Sequence, residues 1–213
     1  MSGGRDAVLA CSNSFPRIET RSVDLDVDVD PFDRIVLTAD GTVTTLLEAC
    51  TGEPIVTSTT RQSGPASPDV LRTVAGCWWH PDVGLLDLDP DERLIARRVT
   101  LRGARTGVAY VLAEALVVPD RLPYLTARRL LRAGASLGRE LAAGRLETRR
   151  ELRTVVAGRA GPAGEHLDTG PGTTLVRRTY TIVAAHAPVA AVTEWLVPRR
   201  LAAAASAVGR RQL

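Results

Sequence analysis

Apolar and polar residues alternate along four segments of the chain, which form two neighbouring pairs. The first pair is "RLIARRVTLRG" and "GVAYVLAEALVVP", joined through "GART", and the second is "TTLVRRTYTIVAA" and "PVAAVTEWLVP", which meet around His186. A period of two residues is typical of strands, and a short connection between two such segments favours a β-hairpin. The pattern therefore predicts two antiparallel hairpins.

Helical patterns lie before and between these hairpins. Asp40 and Thr42 are capping residues ahead of a short apolar helix near residues 43 to 50. Leucines at helical spacing follow Pro119, and Ser136 is then the predicted N-cap of a further helix. Residues 121–144 therefore predict a helical hairpin that lies over the sheet.

Two more strands are predicted, at "PIVTSTTRQ" and near residues 147 to 156. Residues 62–92 predict a loop with a helical turn, and the Gly- and Pro-rich "AGRAGPAGEHLDTGPG" predicts a plain loop. Runs of strands punctuated by helices favour an α+β fold, and the hairpins favour a single antiparallel sheet.

The same pattern predicts one domain over residues 33–198, since a chain of 213 residues with 45% hydrophobic residues can bury a single core. Residues 1–32 form a polar lead-in that ends in "VDLDVDVDPFD", a pattern compatible with an exposed edge strand or a flexible segment. Residues 199–213 form a basic, Ala-rich tail, predicted as a frayed helix or as disordered.

Composition excludes several classes of function. The 27 basic residues are all arginine, but 24 acidic residues are interspersed with them, so a nucleic-acid-binding surface is not expected. The three cysteines are widely spaced and do not cluster with histidine, which argues against a disulfide or a zinc site. No segment resembles a signal peptide or a membrane span. We expect a cytoplasmic protein that does not bind membranes.

Two charged residues interrupt the apolar strand faces. Arg97 shares its face with Ile95 and Val99, and Glu194 shares its face with Val192. Burying an isolated charge costs several kcal/mol, so an inward charge usually has a partner or a ligand. Two interpretations follow: a structural ion pair between the strands, or a small apolar pocket that holds one cation and one carboxylate.

Three common catalytic motifs are absent: the sequence has no GxGxxG after a strand, no GxxxxGK[ST] and no HExxH. His80 lacks a nearby nucleophile, and His186 is expected at a solvent-exposed turn.

What remains suits a small carboxylate ligand. Arg97 can hold a carboxylate with two parallel hydrogen bonds. The helices that begin near Val43 and after Ser136 leave backbone N–H groups, from Leu137 onward in the second case, without a partner in the helix. Glu194 is then available at the opposite end of the ligand, as an acceptor from a hydroxyl group or as a base.

These residues resemble those of the chorismate pyruvate-lyases that make 4-hydroxybenzoate, and especially their actinobacterial branch. The resemblance covers about residues 33 to 198, through six blocks in the same order and spacing: "LTADGTVTTLLEA", "LIARRVTLRG", "VVPDRLP", "SLGRELAAGRLET", "RRTYTIV" and "PVAAVTEWLVP". It implies an antiparallel sheet whose ligand lies under helical flaps, with no metal and no organic cofactor.

The resemblance also implies roles for single residues. It places the carboxylate-binding arginine at Arg97, the acidic residue that faces the 4-hydroxyl group at Glu194, and the backbone amides of the carboxylate site at Val43 and Leu137. The implied reaction removes the enolpyruvyl group and a ring proton from chorismate and gives pyruvate and 4-hydroxybenzoate. The implied partner is this small-molecule substrate, and the protein is expected to be a monomer or a homodimer.

Two more inward charges remain open. Glu114 could neutralise Arg97, shift substrate preference, or serve as the structural partner of a nearby arginine. Members from other bacterial lineages commonly carry an arginine in this region, so Glu114 is a departure from the family pattern. Arg178 matches one of the family's paired arginines and could contact the pyruvyl carboxylate or balance Glu114 or Glu194.

Two other functions remain as alternatives. The same fold serves as a ligand-sensing domain in bacterial transcription regulators, although about 30 unpatterned residues before the domain are too few for a winged helix. A non-catalytic protein that binds aromatic acids is one alternative. The other is a relative that acts on another cyclic acid in specialised metabolism.

Overall fold

The computed structural model of the protein describes residues 30–39, 41–75 and 83–209. Its centre is one antiparallel sheet of six strands in the order β1-β2-β3-β6-β5-β4. The strands are β1 (Ile55–Gln62), β2 (Ile95–Gly103), β3 (Ala109–Val117), β4 (Thr148–Arg159), β5 (Thr174–Ala184) and β6 (Ala187–Leu196). The predicted α+β class and the single antiparallel sheet are confirmed.

The two predicted hairpins form the middle of the sheet. β2 pairs with β3, β5 pairs with β6, and β3 and β6 join the hairpins. His186 is exposed in the β5–β6 turn, where Ala185 and His186 both have positive φ angles of 46° and 66°. β4 continues to Arg159, three residues beyond the predicted end, because its last residues pair with the start of β5.

Seven α-helices surround the sheet in the described part of the chain. They are α1 (Pro31–Thr38), α2 (Val43–Thr51), α3 (Pro68–Ala75), α4 (Tyr124–Leu130), α5 (Leu137–Ala143), α6 (Ala163–His166) and α7 (Arg200–Gly209). Short 3₁₀ helices lie at Val83–Leu86 and Pro119–Arg121. Within the described residues, no helix combines the length and the apolar character needed to cross a membrane.

Helices α2, α4 and α5 correspond to the predicted ones, whereas α1 and α7 extend beyond the predicted domain core. α1 begins at Pro31, two residues before the predicted boundary at residue 33. α7 lies in the predicted tail, packs against α1 and α2, and buries Leu201, which is 2% exposed. The predicted loop over residues 157–172 is interrupted by α6. Asp40, His80 and residues 23–29 of the candidate edge strand lie outside the described residues.

The sheet is covered on both faces, which explains why its central strands are almost fully buried. On one face, α1, α2 and α7 contribute Val36, Leu47 and Leu201 to one apolar cluster, and α4 and α5 contribute Leu130 and Leu141 to another. The opposite face carries two further clusters, which include residues of α3, α6 and the first 3₁₀ helix. The space between the two clusters of the first face contains the candidate site.

Candidate active site

A cavity lies between the sheet and the N-terminal ends of α2 and α5. Its floor is mainly apolar and consists of Val99, Leu101, Ala113, Ala115, Ile182 and Val192. Its roof includes Thr42, Val43, Ser136, Leu137 and Gly138. Four of the predicted site residues therefore line one cavity: Val43, Arg97, Leu137 and Glu194.

Strand register keeps Arg97 and Glu194 apart. Arg97 on β2 lies opposite Ala115 of β3, and Glu194 on β6 lies opposite Ala113. The two positions are separated by two strand spacings and one two-residue step along the strands, so their Cα atoms are roughly 12 Å apart. The alanines between them have short side chains, and this leaves room for a ligand between the two charges.

Arg97 is buried without a carboxylate partner. Its side chain donates one hydrogen bond, from Nη2 to the backbone oxygen of Ala135 at 2.7 Å, and the residue is 2% exposed. Its Nε and Nη1 atoms are buried and have no hydrogen-bond partner in the described part of the protein. Burial lowers the pKa of Arg97 to about 10, so the guanidinium is still charged at neutral pH. It therefore has two donors available for an anion.

Glu194 is held by two donors at the other end of the cavity. Its Oε2 accepts a hydrogen bond from Nε of Arg178 at 2.7 Å, and its Oε1 accepts one from the hydroxyl group of Tyr180 at 3.0 Å. Burial raises the pKa of Tyr180, so its hydroxyl group remains a donor at neutral pH. A carboxylate oxygen has a second lone pair, so Glu194 can still accept a hydrogen bond from a ligand.

Arg178 lies behind Glu194 and does not belong to the residues that line the cavity. It also donates a hydrogen bond from Nη1 to the backbone oxygen of Val36 in α1, and it is 2% exposed. The structural ion pair between Arg97 and Glu194 that the sequence left open as one alternative is therefore not found among the described residues, because Glu194 pairs with Arg178. Of the predicted roles of Arg178, the structure favours the balance of Glu194.

The N-terminal ends of α2 and α5 meet over the cavity. The hydroxyl groups of Thr44 and Ser136 are 3.4 Å apart, and a Cβ atom added to Gly138 would lie 2.6 Å from Cγ2 of Thr42. Neither Thr42 nor Ser136 caps its helix through its side chain. Since the first amides of a helix have no partner within it, those of Val43 and Leu137 are available at the roof.

Glu114 lies on the opposite face of the sheet, so its predicted place in the ligand site is wrong. Its neighbours Ala113 and Ala115 face the cavity, and adjacent residues of a strand point to opposite faces. Its carboxylate accepts hydrogen bonds from Arg98, one of them from Nε at 2.6 Å. The prediction that Glu114 is a structural partner of a nearby arginine agrees with this contact.

Sequence reasoning missed several polar residues of the cavity, among them Tyr180 and Arg150. Tyr180 lies two residues after Arg178 on the same face of β5, and this spacing was a usable signal. Arg150 belongs to β4, an edge strand without a clear apolar face, where Arg149 and Arg150 could not be told apart by pattern.

The segment that carries α4 and α5 is fixed to the rest of the fold by polar contacts. Arg139 of α5 forms an ion pair with Glu48 of α2. Gln62 Nε2 donates to the backbone oxygen of Leu131 at 2.9 Å, and the amide of Gly134 donates to the hydroxyl group of Thr59 at 3.2 Å. These contacts hold the helical hairpin over the cavity, which agrees with the helical flaps that the resemblance implied.

Relatives with a named activity match most of the chain. This chain is 29% identical to the chorismate pyruvate-lyase of Mycobacterium leprae (strain TN) over 140 residues. The aligned region covers 66% of this chain and 58% of that protein. It is 26% identical to the chorismate pyruvate-lyase of Mycobacterium tuberculosis (strain ATCC 25618 / H37Rv) over 162 residues. This aligned region covers 76% of this chain and 77% of that protein. The chain thus spans less than two thirds of the length of the first relative.

Two solved structures share the fold. The effector domain of PhnF from Mycobacterium smegmatis has a TM-score of 0.55 and 16% identity, over 75% of this chain and 90% of that chain. A further structure of PhnF from Mycobacterium smegmatis has a TM-score of 0.56 and 15% identity, over 76% of this chain and 66% of that chain.

The family model that matches the chain is described as chorismate pyruvate-lyase Rv2949c-like and covers residues 37–204. This range contains all the residues of the cavity and the first turn of α7. The resemblance found in the sequence blocks is thereby confirmed. The chain belongs to the Rv2949c-like chorismate pyruvate-lyase family.

Proposed function

We propose that the protein eliminates pyruvate from chorismate and releases 4-hydroxybenzoate. Membership of the family supports this reaction, and so do the named activities of the relatives at 26% and 29% identity. The observation that carries the proposal is the cavity itself, in which the unpaired donors of Arg97 and the carboxylate of Glu194 lie at opposite ends of an apolar floor.

Arg97 binds the ring carboxylate of chorismate. Its Nε and Nη1 atoms provide two donors, and the amides of Val43 and Leu137 complete the site from above. Charge-assisted hydrogen bonds of this kind are about twice as strong as neutral ones. The ligand also gives a buried cation the partner that it lacks in the empty protein.

Glu194 acts at the opposite end of the ring. It accepts a hydrogen bond from the ring hydroxyl group and assists removal of the proton on the carbon that bears it. The bond from the neighbouring ring carbon to the ether oxygen breaks, and its electrons leave with enolpyruvate. The electrons of the broken C–H bond form the ring double bond that completes the aromatic product.

The reaction balances without an oxidant, a reductant or a further substrate. Enolpyruvate gains one proton at its methylene carbon and becomes pyruvate. Because aromatisation supplies the driving force, the protein's main contribution is to fix the ring and position the base, effects that can lower a barrier by several kcal/mol.

Incubation of the purified full-length chain with chorismate tests the proposal. We expect pyruvate and 4-hydroxybenzoate in equal amounts, measured by a coupled pyruvate assay and by chromatography. Binding of 4-hydroxybenzoate without turnover of chorismate would favour a non-catalytic binding protein. Neither binding nor turnover would favour a relative that acts on another cyclic acid.

A further inference from the structure

We propose that Arg150 forms a second anion subsite in the same cavity, which binds the carboxylate of the departing enolpyruvyl group. The inference rests on the proposed function, because it concerns the half of chorismate that leaves as pyruvate. Arg97 and Arg150 are the two residues with positively charged side chains among the described residues that line the cavity.

The two arginines lie on the same face of the sheet, on strands at opposite ends of the cavity. Arg97 lies on β2 and Arg150 on β4, and these strands are four strand spacings apart in the sheet order, or about 19 Å between backbones. Arg150 lies opposite Ile182 of β5, which forms part of the cavity floor. The cavity therefore has one cation at each side and an apolar floor between them.

Arg150 lies near the Glu194 end of the cavity. Its guanidinium carbon is 6.0 Å from the centre of the Tyr180 ring, and the Tyr180 hydroxyl group donates to Glu194 at 3.0 Å. A ligand group next to the hydroxyl that faces Glu194 is thus closer to Arg150 than to Arg97.

Chorismate carries a group of the required charge at that position. Its second carboxylate belongs to the enolpyruvyl ether, on the ring carbon adjacent to the one that bears the hydroxyl group. Arg178 donates to Glu194 and to the backbone oxygen of Val36, and it does not line the cavity. Arg150 is the arginine that lines the cavity at this end. Guanidinium groups bind carboxylates with two parallel hydrogen bonds.

The subsite distinguishes the substrate from the aromatic product. 4-Hydroxybenzoate retains the ring carboxylate and the hydroxyl group but has lost the group that Arg150 binds. Arg150 thus contributes to the affinity for chorismate and does not retain the aromatic product once pyruvate has left.

The neighbouring arginines of β4 provide a matched control. Arg149 points to the other face, where its Nη2 donates to Oε1 of Glu151 at 2.7 Å and where Arg153 Nη2 donates to Oε2 of the same carboxylate at 2.7 Å. Arg149→Gln therefore removes the same charge from the adjacent position without changing the cavity.

Binding measurements on the full chain test the subsite with two unreactive ligands. 4-Hydroxybenzoate carries one carboxylate, and 3-(carboxymethoxy)-4-hydroxybenzoate carries a second one on the carbon next to the hydroxyl-bearing carbon. By calorimetry, we expect Arg150→Gln to weaken binding of the second ligand about 10-fold and binding of the first less than about 2-fold. Arg149→Gln is expected to change neither constant.

Three results would overturn the subsite: equal weakening of both ligands by Arg150→Gln, no weakening of either, or wild-type protein that does not bind the dianion more tightly than 4-hydroxybenzoate. Since neither ligand reacts, these outcomes do not depend on turnover. Failure of the proposed function would instead appear as wild-type protein that produces no pyruvate from chorismate. In an active enzyme, Arg150→Gln should raise KM for chorismate about 10-fold and leave kcat nearly unchanged.

Discussion

The sheet contains two buried Arg–Glu pairs, one on each face, that are alike in their contacts and differ in their surroundings. Arg178 donates from Nε to Glu194 at 2.7 Å, and Arg98 donates from Nε to Glu114 at 2.6 Å. Glu194 is 4% exposed and Glu114 is 1% exposed. Glu194 lines the cavity, whereas Glu114 lies on the other face, where Leu112 and Leu116 of the same strand belong to apolar clusters.

The difference shows that a buried ion pair does not by itself identify a functional site. A matched pair satisfies its own charges, and replacing one with apolar residues is often neutral or stabilising. The feature that distinguishes the cavity face is Arg97, a buried cation that has no carboxylate partner among the described residues. Such a cation is unfavourable in the empty protein and becomes favourable only when an anion binds.

The largest expected effect comes from removing the Arg97 cation. Arg97→Met should lower kcat/KM for chorismate about 1,000-fold, or about 4 kcal/mol, because the ring carboxylate loses its partner. The free energy of unfolding of the ligand-free protein should change by less than about 1 kcal/mol, since relief of a buried charge opposes loss of the bond to the Ala135 oxygen. Steady-state kinetics and urea unfolding measure the two quantities.

Arg98→Met is the matched control, because it removes the same side chain from the next residue on the other face. It leaves Glu114 buried without this partner and should cost about 3 kcal/mol of stability, with kcat/KM of the folded protein nearly unchanged. The comparison between the faces fails if Arg97→Met destabilises the protein as much as Arg98→Met or retains wild-type affinity for 4-hydroxybenzoate.

Much of the fold could be predicted because alternation defines the strands. The two hairpins and the helices near Val43 and Ser136 follow from local patterns that their tertiary contacts reinforce. α1 and α7 could not be predicted from pattern alone. α7, for example, is Ala-rich, and its packing depends on the buried Leu201 and on neighbours distant in sequence. Local composition does not reveal whether such a helix finds a surface to cover.

The site was partly predictable for a related reason. Arg97 and Glu194 stand out because each interrupts an apolar strand face. Glu114 gives the same signal, since β3 is buried on both faces and alternation alone does not show which face carries the cavity. The pairing of Glu194 with Arg178 depends on the register of β5 and β6, and the role of Arg150 depends on the position of β4 at the sheet edge.

The two buried carboxylates, Glu194 and Glu114, can be compared directly. Glu194→Gln and Glu114→Gln make the same isosteric change on opposite faces, and each should lower the free energy of unfolding by about 3 kcal/mol because an arginine loses its buried counter-charge. Only Glu194→Gln should reduce kcat, by about 100-fold, since a positioned acid or base typically contributes a factor of this size. Urea unfolding and single-turnover kinetics check the two parts.

Full turnover by the Glu194→Gln protein would exclude a role for this carboxylate in proton removal. A loss of kcat in Glu114→Gln as large as in Glu194→Gln, measured under conditions where both proteins are folded, would show that the faces are not functionally distinct.

The smallest expected effect concerns the Tyr180 hydroxyl group, which is the second donor to Glu194. Tyr180→Phe removes the hydrogen bond of 3.0 Å to Oε1, so the carboxylate is less firmly oriented. We expect kcat to fall about 10-fold, because hydrogen bonds to charged groups contribute about 1.5–3 kcal/mol.

Tyr110→Phe is the control, since the Tyr110 hydroxyl group donates to Glu53 at 3.3 Å, away from the cavity residues. Both variants should lose about 1 kcal/mol of stability, but Tyr110→Phe should keep kcat within about 2-fold. Equal kcat values for the two variants would mean that Arg178 alone orients Glu194, and the cavity-facing pair would then differ from the Arg98–Glu114 pair only through Arg97.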